Sequence, residues 1–111
     1  FVATNDDERE LIRQQISFYA STPSYKAVLD VHGWGEVNEK LGALAARGKW
    51  TELPALISDE ILNEVAIVAP PAEIPARITQ KYAGLLDRVA LYLPFAPEDE
   101  QRWGELAKAF K

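Results

Sequence analysis

The chain has 111 residues, 48% of them hydrophobic and 26% charged, with a net charge of −5. That length holds one small domain burying about two-thirds of its unfolded surface, and Lys and Arg scattered along an acidic chain argue against nucleic acid. The lack of Cys excludes disulfides and thiolate chemistry and fits a reducing cytoplasm, and no apolar run is long enough to span a bilayer.

The chain begins Phe1-Val2-Ala3 and holds no Met, which predicts a chain cut from a longer one, with Phe1-Val2 the tail of a preceding strand or loop. Thr4-Asn5-Asp6-Asp7-Glu8 reads as a helix start: Asn5 can cap, Glu8 follows three residues on, and the acids complement the helix dipole. Leu11, Ile12, Ile16 and Tyr19 then recur at helical spacing. Thr22-Pro23 opens a second helix carrying Tyr25, Val28 and Leu29, with Gly33 as its stop. Val37, Leu41, Leu44 and Ala45 mark a third helix ended by Gly48. Thr51 starts a short fourth, and Ser58-Asp59-Glu60 restarts the chain for a turn or two.

From residue 65 the pattern changes. Val65–Ala69 is an uncharged apolar run that predicts a strand buried on both faces; Pro70-Pro71 opens a helix that Gly84 ends; Arg88–Leu93 predicts a second strand. Two strands joined through a helix lie parallel, and a sheet of two parallel strands does not stand alone. A last helix starts at Ala96-Pro97 and is expected to bury Trp103, Leu106 and Phe110. The division is lopsided, with helices only over 5–64 and βαβα over 65–111.

Few residues carry chemistry. With one histidine and no cysteine, zinc lacks its usual ligands, and the acids of Asp6-Asp7-Glu8 and Asp59-Glu60 read as helix starts rather than a metal site. His32 suits either a pocket residue and proton donor or, the preferred reading, a helix C-terminal residue meeting the last carbonyls. The run Phe18-Tyr19-Ala20-Ser21-Thr22-Pro23-Ser24-Tyr25 gathers three rings and three Ser and Thr hydroxyls beside Pro23. It offers a pocket wall or plain helix packing. Tyr92, Phe95 and Pro70 fall at the C-terminal ends of the expected strands, where α/β folds place their sites.

The order of motifs resembles the luciferase-like monooxygenase superfamily, and within it a branch of coenzyme F420-dependent oxidoreductases. The residues are the run from Phe18 to Tyr25, then Leu29-Asp30-Val31-His32-Gly33-Trp34-Gly35, Gly48-Lys49-Trp50 and Ile57-Ser58-Asp59-Glu60-Ile61-Leu62. Ile67-Val68-Ala69-Pro70-Pro71 and Leu86 to Phe95 complete the series. The resemblance implies the C-terminal part of a (β/α)₈ TIM barrel, a fold of about 250 residues, mostly helical here with two parallel strands, the seventh and eighth. It implies coenzyme F420 or FMN as hydride carrier and a small organic substrate. Residues 5–64 then include a helical insertion at the barrel mouth. Tyr19, Ser21, Tyr25 and His32 are expected to line the pocket and Tyr92 and Phe95 its rim, with no residue assigned to catalysis. The expected partner is the remainder of the barrel or a second copy; the alternative is a self-associating, non-catalytic helical module. Ala69 and Pro70 depart from the family pattern, which has Gly and a hydroxyl cap there, so a contact from that hydroxyl is lost.

Overall fold

The structure, a computed structural model, describes residues 1–92 and 96–110. Its elements are β1 (Val2–Ala3), α1 (Asp6–Ala20), α2 (Lys26–Asp30), α3 (Gly35–Ala46), α4 (Asp59–Val65), β2 (Ile67–Val68), α5 (Ile74–Tyr82) and α6 (Glu100–Lys108). Short 3₁₀ turns lead into α2, α5 and α6, and a longer one fills Trp50–Leu56. The chain divides into two compact units, residues 1–9 with 66–111 and residues 10–65.

Helix ends follow the local chemistry. Asn5 caps α1, its Oδ1 accepting the Glu8 N–H at 2.9 Å. Ser58 starts α4, its Oγ accepting the Ile61 N–H at 3.2 Å. Thr22 opens the turn into α2 without a side-chain cap, because its hydroxyl turns back to donate to the Tyr19 carbonyl at 2.8 Å. Gly48 ends α3 with φ +70°, and the N–H groups of Gly48 and Lys49 bond the carbonyls of Ala45 and Leu44 at 3.0 Å each. A side chain is strained at that φ although no atom crowds it. Gly48→Ala is therefore expected to lower stability by about 1 kcal/mol, read as a lower urea midpoint at unchanged slope.

In unit 10–65 the buried side chains recur along one stripe of each helix: Ile12, Ile16 and Ala20 on α1, Leu41 on α3, Ile61 and Leu62 on α4. The helix α3 packs on α2 and on the 50–56 turn, which buries Leu53. Arg13 fastens α1 to the start of α4, donating to the Ile57 carbonyl and pairing with Asp59 at 2.6 Å. Leu11 and Val28, although at helical apolar spacing, are exposed.

The other unit holds the sheet. β1 and β2 pair in parallel, Val2 opposite Ile67 and Ala3 opposite Val68, with only helices and turns between them in sequence. Two parallel strands are present, but not the two expected. The first expected strand, Val65–Ala69, shrinks to Ile67–Val68 because α4 runs on through Val65. The second does not form over residues 88–92, and Leu93 lies outside the described residues. Its place as partner is taken by Val2–Ala3, whose flanking Phe1 and Ala3 carbonyls accept the Ile67 and Ala69 N–H groups at 3.0 Å. Val2, Ala69, Ile74, Ile78 and Leu106 form this unit's core, with Ile67, Tyr82, Leu91 and Trp103 packed at its margin. Leu106 is thus buried as expected and Trp103 half-buried, while Phe110 is exposed. No helix among the described residues is long and apolar enough to cross a membrane.

Candidate functional site

Sites in α/β folds gather where parallel strands end and feed their loops. β1 ends at Ala3 and hands the chain to Thr4, whose N–H and hydroxyl both donate to the Glu8 carboxylate, at 2.8 and 2.9 Å. Arg102, from α6, donates to the same carboxylate at 2.6 Å and to the Thr4 hydroxyl at 3.0 Å. Its other amino group pairs with Asp99 at 3.2 Å. Burial pushes the Glu8 carboxyl up, but the bonds from Thr4 and Arg102 outweigh it and hold the group below the usual carboxylate range. The lowered Glu8 carboxyl is ionised at neutral pH, and Arg102 lies between Glu8 and Asp99, so the cluster fastens rather than transfers protons. β2 ends differently, at Ala69-Pro70-Pro71, where Pro70 makes no side-chain cap and the prolines lack an N–H.

The second cluster lies in unit 10–65, where α1 ends. Ser21 and Thr22 turn their hydroxyls back onto the carbonyls of Phe18 and Tyr19 at 2.6 and 2.8 Å. Asn38 of α3, only 5% exposed, donates to the carbonyls of Ala20 at 2.7 Å and Thr22 at 2.8 Å. On this tied backbone stand Phe18, Tyr19 and Tyr25, and Trp50 of the 50–56 turn meets them. Tyr19 lies 6.0 Å from Tyr25 and 5.8 Å from Phe18, and Phe18 lies 5.9 Å from Trp50.

The six expected pocket residues separate on this geometry. Tyr19 and Tyr25 stand together. Ser21 lies beneath them in the backbone, buried, its hydroxyl spent on the Phe18 carbonyl. His32 is exposed and stacks on Trp34 at 4.6 Å. Tyr92 is exposed in the other unit, edge-on to Phe1 at 5.3 Å. Phe95 lies outside the described residues. Phe18, part of the expected ring run, and Trp50, which was not expected there, complete the ring group. Phe18 is next to Tyr19 in sequence; the approach of Trp50 depends on the packing of α3 and the 50–56 turn and leaves no trace in spacing.

A groove of about 530 Å³ opens in unit 1–9 with 66–111, walled mainly by Tyr82, Leu86, Val89, Leu91, Trp103 and Phe110. Its walls are mostly apolar. Among the described residues no group of three or more His, Asp or Glu is placed to hold a metal. A flavin or deazaflavin phosphate needs a cradle of N–H groups or unmatched cations. Here the cation at the strand end is matched by Glu8 and Asp99, and the other strand end is proline. Neither strand end fits such a cradle.

The family model described as luciferase-like monooxygenase matches residues 1–88. An uncharacterized protein of Mycobacterium bovis and two of Mycobacterium tuberculosis are 40% identical over 94 residues, covering 79% of this chain. The matched part spans 28% of the length of each of these relatives. No solved structure matches the chain.

Proposed function

The chain belongs to the luciferase-like monooxygenase family, and from that premise we propose that it forms the closing βα units of a flavin- or F420-dependent oxidoreductase barrel. In this reading it supplies wall and closure, and the cofactor cradle comes from other strands. The carrying observation is the family match across β1, the helical crossover and β2. The bare parallel pair supports it physically, since parallel sheets are found with both faces covered and more strands beside them. The partner is then the remainder of the barrel, and the fold is the C-terminal part of a (β/α)₈ barrel with the 10–65 helices as its insertion. The cofactor, when bound, supplies the hydride chemistry. This chain's own share is the Glu8–Arg102 fastening of α6 beside the strand end and an aromatic wall with Tyr19 and Tyr25.

Gel filtration with FMN or F420 tests the reading. The 111-residue chain should carry neither through the column, while a full-length mycobacterial relative should retain one of them. Stoichiometric retention by the 111-residue chain, or by neither protein, overturns the proposal.

A further inference from the structure

Exposed rings are ordinary when single; a group of them on a strongly tied backbone is not. Phe18, Trp50 and Tyr25 are 53%, 49% and 40% exposed, and together with Tyr19 they form one continuous group. The backbone beneath is fixed by side chains. The hydroxyls of Ser21 and Thr22 and the amide of buried Asn38 take the carbonyls of Phe18, Tyr19, Ala20 and Thr22. The Tyr25 N–H adds a bond to the Thr22 carbonyl at 3.1 Å. The end of α1 is buried at Ala20 and Ser21, so its carbonyls take their donors from side chains, and those bonds also fix the local backbone. Holding the backbone so firmly fixes where Phe18, Tyr19 and Tyr25 leave it, which is what a preformed binding wall requires.

The ring angles say what such a wall grips. Phe18 and Tyr19 meet at 73°, forming a corner. Trp50 continues the Phe18 arm at a tilt of 38°, and Tyr25 continues the Tyr19 arm at 36°. A flat ring laid on one arm presents its edge to the other, combining offset stacking with an edge-to-face contact. An aliphatic chain gains only buried area there.

We infer that the corner formed by Phe18, Tyr19, Tyr25 and Trp50 is a binding site for a planar aromatic small molecule, held in shape by Asn38, Ser21 and Thr22. This rests on the oxidoreductase reading only in calling that molecule the substrate; binding itself needs no cofactor.

The test is a titration of the 111-residue chain, ¹⁵N-labelled at its three Trp indoles, with coumarin as the planar probe and 1-octanol as the aliphatic one. The Trp50 indole signal, assigned by its loss in Trp50→Phe, should move saturably with coumarin while the Trp103 signal stays. Phe18→Leu, on the exposed corner, should weaken binding about tenfold. The absence of a saturable Trp50 shift overturns the inference, and so does an equal response to 1-octanol. A Trp50 shift driven by protein concentration alone also overturns it, because a second copy then covers the corner. Coumarin binding alongside failed cofactor retention by the relative refutes the oxidoreductase reading and leaves the aromatic site standing.

Discussion

Asn38→Ala should cost about 3 kcal/mol of unfolding free energy, because two carbonyls at the end of α1, one of them buried, lose their donor. The amide is buried and spends both N–H bonds on one short stretch, Ala20 and Thr22. Urea unfolding followed by circular dichroism measures the loss. Asn38→Asp separates this explanation from simple loss of volume. It keeps the shape but aims an acceptor at two acceptors, so at pH 7 it should be worse than Ala by about 1 kcal/mol or more. Such a carboxyl has a folded pKa raised above its unfolded value of about 3.9. Its neutral, donating form is therefore present below that value, and stability falls as pH rises through the folded pKa. The gap between the Asp and Ala variants should close on acidification; a gap that is constant from pH 7 to pH 4 would show that the hydrogen bonds to Ala20 and Thr22 are not what holds the turn.

The turn that Asn38 holds also shows where sequence reading works and where it stops. Asn5, Gly33, Gly48 and Gly84 are legible as helix ends because the forces are local: a side chain reaching three residues on, or a φ near +75° that favours glycine. Thr22 obeys an equally local rule with the opposite sign, its hydroxyl finding the carbonyl behind it before any N–H ahead. Strand pairing is another matter. Ile67–Val68 finds Val2–Ala3 across more than sixty residues, and a two-residue strand has no periodicity to read. Arg88–Tyr92 has the composition of a strand, yet composition supplies no neighbour, and strands exist only through ladder bonds to one. The aromatic corner falls between these cases. The Phe18-to-Tyr25 run announces three rings in sequence; Trp50 joins them only once the 50–56 turn packs on α3.

Glu8→Ala is expected to cost about 3 kcal/mol as well, and for a reason that pH can expose. The Glu8 side chain is 12% exposed and accepts from the Thr4 N–H, the Thr4 hydroxyl and Arg102. Removing it strips a half-buried guanidinium of its nearest carboxylate, and Asp99 is left as its ion-pair partner. Glu8→Gln keeps the volume and one acceptor and should lose about half as much. In the parent chain the Glu8 carboxyl sits below its ordinary range, so the folded state binds its proton more weakly than the unfolded chain does. Its contribution is complete above the unfolded Glu pKa of about 4.3 and is lost as pH falls through the lower folded value. The difference in unfolding free energy between the parent chain and Glu8→Gln should therefore be full at pH 7 and shrink steadily below about pH 4. A double-mutant cycle with Arg102→Gln should return a coupling of about 1–2 kcal/mol. That coupling carries the structural point. Residues 94 positions apart meet here, at the end of β1, and the apolar core below them has only Leu106 fully inside from α6. If α6 stays docked at full stability without the Glu8–Arg102 pair, the core alone holds it and the strand-end cluster is ornament; if its signals melt first, the cluster is what closes this unit.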